Sequence, residues 1–413
     1  MLPAGCSSVS VEKARANFYT GRFVYANENL KDIPTGDKDE ILYLSERGMI
    51  RQAARLYEES SLDWRRATEI NDSLPEVSLS KSTAGLLVND RVLTYRGLPF
   101  ERTLIYTFLA KNYFAQQNWD YAAVCARNII GHLENLDGFP DMPYSRYLAG
   151  FGLEMINDYG NAAIQYKAAG KRLKEFKDAA GPETLAPAAT NSGEGGTAAL
   201  VATEAGPGRL DFAVEPDGRI LSLSTNANAQ SNSMPSAAGS NPCQLVCFIG
   251  IGKMPKWCGS EYDFEMAPFA EIYHGDQYLG RSYPFGNTAT LMIESKNRLA
   301  ALQAAKTGTR VVIKEVISGS VESQNEALGA VTRLILFSLE QPDTRCWETL
   351  PLWLEIARVP CSPALKNYRI VFKSSAGAAL KSKIVTAPIA RRGNIFVSFC
   401  RDLEEDEVLS PHP

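Results

Sequence analysis

Leu104 to Ile130, LIYTFLAKNYFAQQNWDYAAVCARNII, decides how the N-terminal half of this chain is read. In its first half Leu104, Ile105, Phe108, Leu109 and Tyr113 recur at steps of three and four, which puts their side chains on one helical face. Small Ala110 sits where a second helix presses closest. Gln117-Asn118 breaks the run; the Asn118 side chain suits an N-cap, and Asp120 falls in the next helix's first turn, where negative charge is favoured. Ala122, Ala126, Ile129 and Ile130 give that second helix its own buried stripe. The stretch predicts a helical hairpin, which buries its apolar face only against neighbours and offers a surface rather than a reaction.

The same register recurs along the chain. Ala14, Phe18, Gly21, Phe23 and Ala26 give it in miniature, and Tyr57, Ser60, Trp64 and Ala67 repeat it. Trp119, Ala122, Ala126 and Ile129 follow, then Tyr159, Ala162, Tyr166 and Ala169. Such units resemble tetratricopeptide (TPR) hairpins, although the last two copies lie farther apart than the roughly 34 residues of a regular repeat. Stripes of this kind also arise from plain core packing, and it is their shared register that favours a repeat. An all-α TPR-like helical repeat domain is expected over 10–178, with an insert at Asn71–Pro99 carrying a short helix near Ser82–Val88.

With 413 residues, 45% of them apolar and 22% charged, the chain has material for two or three domains, each with its own core. A net charge of −4 argues against nucleic acid as a partner, because phosphate binding needs a basic surface. From 179 to 241 the composition turns to Ala, Gly, Ser, Thr, Asn and Pro, a linker interrupted by a β-hairpin at 210–224 around Glu215-Pro216-Asp217-Gly218. An α+β domain is expected over 242–402, and an acidic tail over 403–413. Within that domain Gln244–Ile249 reads as a buried strand. Further strands are expected at Arg310–Ile317, Leu352–Val359, Tyr368–Lys373, Lys383–Ala387 and Ile395–Cys400. Leu291–Ala305 and Asn325–Leu339 read as helices. The fold class is therefore multidomain: a helical repeat domain followed by an α+β domain.

Gly250-Ile251-Gly252-Lys253 completes neither phosphate-loop pattern, so no nucleotide site is assigned. Three scattered histidines, no C-x-x-C pair and no paired carboxylate spacing leave catalytic, metal and cofactor sites unassigned. Most of the eight cysteines read as small buried hydrophobes.

Cys6 stands apart. Leu2-Pro3-Ala4-Gly5-Cys6-Ser7-Ser8, at the head of a lipobox-like stretch over 1–9, resembles a bacterial lipobox in which the Cys6 thiol takes a diacylglycerol. A longer reading frame is expected to supply the basic and apolar parts of the signal. The second resemblance lies in Asp343-Thr344-Arg345-Cys346-Trp347-Glu348-Thr349-Leu350-Pro351, a D-T-R-x-W-x-x-L-P block followed by Leu354-Glu355-Ile356-Ala357-Arg358. It is similar to the C-terminal signature of an uncharacterised family of bacterial cell-envelope lipoproteins with TPR-like N-terminal halves. Leu42–Gly48, Asn89-Asp90, Tyr95, Phe100-Glu101-Arg102, Ala126-Arg127 and Cys243–Met254 share in the resemblance.

That resemblance implies a lipid anchor on Cys6 at a membrane, a periplasm-facing position, protein partners in the envelope, and no catalytic residues. Asp343, Arg345 and Trp347 read either as a structural corner or, if exposed, as interface anchors, with burial of Trp347 as the discriminator. The expected function is a non-enzymatic binding or scaffold lipoprotein using a TPR-like surface. The alternative is an envelope enzyme or small-ligand sensor with its site in the C-terminal α+β domain.

Overall fold

Four helical hairpins form the N-terminal half of the computed structural model. They pair α1 (Gly5–Tyr19) with α2 (Phe23–Asn29), α3 (Glu40–Ala53) with α4 (Tyr57–Ser73), α5 (Pro99–Ala115) with α6 (Trp119–Glu134), and α7 (Pro143–Met155) with α8 (Tyr159–Ala179). The structure describes residues 5–33, 36–73, 94–134, 136–179, 212–214, 218–222, 243–255, 266–302, 345–386 and 390–403. The predicted helix near Ser82–Val88, the strand Arg310–Ile317, the helix Asn325–Leu339 and the tail beyond 403 lie outside those residues.

One turn chemistry closes all four hairpins. Gly21, Arg55, Gln117 and Asn157 each hold a left-handed φ, at 80°, 64°, 58° and 66°. The amide just after each reaches back to a carbonyl of the last turn: Arg22 to Asn17, Leu56 to Arg51, Asn118 to Tyr113 and Asp158 to Leu153, at 2.7–2.9 Å. This is the Schellman arrangement, which satisfies carbonyls that a helix end otherwise strands. An aromatic residue follows two positions on in every case: Phe23, Tyr57, Trp119 and Tyr159. The helices then approach closely. A Cβ added at Gly48 would stand 2.4 Å from Trp64 of α4, and one at Gly150 would stand 3.0 Å from Tyr166 of α8.

The C-terminal half is built from strands. A small hairpin pairs β1 (Phe212–Val214) with β2 (Ile220–Ser222). A five-stranded sheet has the order β10 (Ala390–Arg392), β11 (Ile395–Arg401), β3 (Gln244–Ile251), β7 (Trp353–Pro360), β6 (Tyr283–Asn287). Its β11 and β3 run parallel and its other neighbours antiparallel. A four-stranded antiparallel sheet has the order β5 (Gln277–Arg281), β4 (Phe269–His274), β8 (Asn367–Lys373), β9 (Ala379–Thr386). A helix, α9, spans 288–302 of the described residues.

The five-stranded sheet is covered on both faces. On β3, Val246 and Phe248 join the helical core, while Leu245, Cys247, Ile249 and Ile251 join the core between the two sheets. Residues on opposite faces of a strand alternate, so an unbroken apolar run is what a doubly covered strand requires. Phe248 packs among Phe114 of α5, Tyr144, Tyr147 and Phe151 of α7, and Phe399 of β11, with ring centroids 5.5–6.5 Å apart. The sequence reading gives each half its own core. The structure shows the first helices of the hairpins sharing one core with the sheet, because their inward aromatic faces have no other cover. The strands β4, β5 and β6 have no counterpart in the sequence reading; they lie in a polar hairpin that turns at Gly275-Asp276 and in an edge strand bulged between Pro284 and Gly286.

Candidate functional site

The boundary between helices and sheet holds the molecule's main concentration of buried charge among the described residues. The segment from Arg345 to Pro351 enters this boundary and lies across α1, α3 and α5. Its backbone amides are buried away from water and need acceptors. Two helix carboxylates supply them. Glu46 of α3, fully buried, accepts from the amides of Glu348 at 2.9 Å and Thr349 at 3.2 Å. Glu101 of α5 accepts from the amide of Trp347 at 3.0 Å, from the Tyr95 hydroxyl at 2.9 Å and from the amide of Leu98 at 2.7 Å. The last contact is also the reach-back of an N-terminal helix cap. Burial raises the Glu101 carboxyl, and the three donated hydrogen bonds oppose that rise.

Arg15 of α1 completes the clamp. It donates to Glu46 at 2.6 and 2.9 Å, to Glu348 at 2.8 Å and to the carbonyl of Cys346 at 3.1 Å. Its guanidinium is held above its ordinary pKa by Glu46 and Glu348, against the opposing effect of burial, which is the largest single influence. A second clamp ties the other end of the array to the sheet. Arg358 of β7 grips Glu154 of α7 in a fork at 2.6 and 2.9 Å and donates to Gln244 of β3 at 2.8 Å. Paired fork contacts of this kind fix geometry as well as charge.

The residues singled out in the sequence meet different fates here. Trp347 is 1% exposed; it packs edge-on against Phe108 at 5.7 Å and donates from Nε1 to Thr349 at 2.9 Å. It anchors an interface inside the chain rather than presenting a surface. Arg345 pairs with Asp39 and lies over the Tyr95 ring at 5.4 Å. Asp343 lies outside the described residues. Cys6 belongs to α1, and its side chain lies outside them as well. Cys346 is buried, and burial, with Glu101 and Glu348 nearby, pushes its thiol up to about 12, an environment that disfavours the thiolate. Gly252, φ +76°, donates its amide to the Asp402 carboxylate at 2.8 Å, so the Gly250–Lys253 turn is committed to its own chain.

Beside the clamp a cleft opens between the α3–α4 turn and α5 on one side and the ends of β3, β9 and β11 on the other, with a cavity volume of about 50 Å³. Lys111, Arg401, Arg55 and Lys383 line it, and no carboxylate does among the described residues. Apolar walls come from Phe23, Met49, Phe108, Leu354 and Phe399. Lys111 is 6% exposed, with its ammonium 4.9 Å above the Phe108 ring and 5.4 Å from that of Phe399. Burial first, and then the charge of Arg401, lowers it to about 7. Arg401 spends its terminal nitrogens on the carbonyls of Thr349 at 2.8 Å and Gly252 at 3.4 Å, while its buried Nε has no acceptor. Sequence reasoning passed over Lys111, although a lone cation in the apolar run LIYTFLAKNYF is a visible signal.

A different buried acid sits outside this cleft. Glu355 of β7 points into the core between the sheets, is raised to about 8 by burial, and shares a short hydrogen bond with Ser282. Among the described residues no cluster of side chains could hold a metal ion, and no helix is long and apolar enough to cross a membrane.

No protein-family model and no curated protein matches the chain. Among solved structures, it is similar to one described as MamA AMB-1 P212121. That likeness has 15% identity, covers 42% of this chain and 79% of that one, and has a TM-score of 0.27. Likeness at that level settles neither fold nor function.

Two outcomes follow from the charges. Glu46→Gln leaves buried Arg15 short of a counter-charge and puts an amide NH2 in place of one of the two accepting oxygens, so one of the two backbone amides loses its acceptor; it is expected to cost about 3–5 kcal/mol in urea denaturation. Lys111→Met is expected to stabilise the protein by roughly 1–4 kcal/mol at pH 6. The lysine's folded pKa of about 7 lies below its ordinary 10.5, so its penalty is full below pH 7 and fades as pH rises toward 10.5. The gain should therefore shrink between pH 7 and 10 in the same titration.

Proposed function

We propose that this protein is a non-enzymatic binding or scaffold protein of the bacterial cell envelope, held at a membrane by lipid on Cys6. Its partner-binding surface is the outer face of the helical array. The observation that carries the reading is a row of exposed apolar side chains at equivalent positions of three successive second helices: Leu62 on α4, Val124 on α6 and Ile164 on α8, exposed by 55%, 48% and 60%. Tyr121 and Tyr159 extend the row. The opposite face, lined by the first helices, is already covered by the chain's own sheet. Exposed apolar side chains repeated at one position of successive helices are the mark of a protein interface, and here they suit a partner that brings an apolar surface of its own.

Support for the envelope comes from Leu2–Cys6 and from the family that the Asp343–Pro351 block resembles. The alternative of a small-ligand sensor draws on one feature, the cationic cleft, which lies where the helical array meets the sheet rather than within the C-terminal half alone.

Location is checked by fatty-acid labelling in cells. Label should be incorporated into the natural protein and lost in Cys6→Ser; an unlabelled protein in the soluble fraction would overturn the anchor. The surface is checked by placing a photo-crosslinking residue at Leu62, Val124 or Ile164 in intact cells, with exposed Lys171 on α8 as the control. A shared adduct from the three row positions that is absent at Lys171 is the expected result. No adduct, or the same adduct at all four positions, would contradict it.

A further inference from the structure

The cleft beside the clamp has a composition that protein binding does not account for. Among the described residues four cationic side chains and no carboxylate line it, and Asp402 at the strand end is turned away to the amide of Gly252. We propose that this cleft binds a compact oxyanion of the phosphate class, held inside by Lys111 and Arg401 and at the mouth by Arg55 and Lys383. The proposal goes beyond the protein-binding reading and does not depend on it.

Lys111 carries the argument. It is 6% exposed, and its ammonium faces two aromatic rings and has no carboxylate or hydrogen-bond acceptor among the described residues. A buried ammonium without a partner is costly, and a methionine or leucine would fill the same volume without that cost. A side chain that lowers stability where an apolar one would raise it is the pattern of a group kept for binding. Arg401 adds an independent sign. Thr349 and Gly252 fix the orientation of its guanidinium, yet its buried Nε is left without an acceptor.

Size and charge narrow the ligand. A water takes about 10–15 Å³ of such space, so a cavity of about 50 Å³ has room for a few oxygens. That fits a phosphate or sulfate group. The two inner cations, Lys111 and Arg401, match a doubly charged oxyanion better than a monocarboxylate. Apolar walls weaken solvent screening and strengthen each ion pair. Two sources share this chemistry: free phosphate, or a phosphomonoester headgroup presented by a lipid surface.

Calorimetry on the full chain tests the proposal, with inorganic phosphate and sulfate as probes against chloride at matched ionic strength. One saturable site is expected for both oxyanions. At pH 8 the sulfate titration, repeated in buffers of different ionisation heat, should show uptake of about one proton, because Lys111 is largely neutral before binding and charged after it. Arg55, Tyr57, Lys383, Cys400 and Arg401 face the same space, so comparison with Lys111→Met isolates the lysine's proton from theirs. That variant should lose the proton uptake and roughly tenfold or more in affinity.

Arg55→Gly guards against misfolding as an explanation. Gly21 holds the equivalent turn with the same left-handed backbone, so the variant should keep its melting temperature while binding phosphate more weakly. Vesicles of phosphatidylcholine with and without phosphatidic acid separate the sources. Lys111-dependent binding to phosphatidic acid vesicles, competed by phosphate, assigns the lipid headgroup; binding of free phosphate alone assigns the soluble ion. The proposal is overturned if neither oxyanion nor vesicle binds, or if affinity is unchanged in both Lys111→Met and Arg55→Gly.

Discussion

The amides of Trp347, Glu348 and Thr349 are buried between helices and sheet, and every one of them must find an acceptor there. Glu46 and Glu101 meet that demand, and Arg15 makes the buried charge of Glu46 tolerable. Remove one member and the others become liabilities, because an unpaired charge in such surroundings costs more than the pair contributes. The first helices of the repeat array are thereby committed to the chain's own sheet. The face formed by the first helices, which repeat proteins commonly leave open to partners, is here an internal surface. The outward apolar row and the cationic cleft are the surfaces that remain for binding.

The two surfaces differ in what they would recognise. The row Leu62, Val124 and Ile164 is shallow, apolar and repeated, and suits an extended contact. The cleft is small, positively charged and formed jointly by α5 and β11, so whatever fills it also stiffens the boundary between the halves. A ligand that binds only the assembled state stabilises that state by mass action. Occupancy of the cleft would therefore reinforce the clamp next to it.

How much of this was legible in the sequence depends on where each residue's partners lie. The hairpins were readable because helix neighbours are close in sequence: Trp119 packs on Phe114 of its own hairpin, while Ala122 and Ala126 meet Gly152 of the next helix, and such close approach allows only small residues there. Strand β3 was readable as an apolar run because both of its faces are buried. Strands β4 and β5 were not, since their hairpin carries Glu271, His274, Asp276 and Gln277 and looks like a polar loop. Arg15, Glu46 and Glu101 resembled ordinary charges on a solvated helix, because their partners stand some three hundred positions along the chain or on another hairpin. Trp347 was recognisable as an anchor, but nothing local to it shows that the surface it fills belongs to the same molecule.

The central claim, that the clamp joins helical array and sheet into one cooperative unit, is tested most directly by native-state hydrogen exchange. The amides of Trp347, Glu348 and Thr349 should exchange only through global unfolding, with the same opening free energy and denaturant dependence as Leu109 in the middle of α5. Exchange of those three amides through a low-energy opening that leaves Leu109 protected would contradict the account, since the segment would then leave the boundary while both halves stay folded.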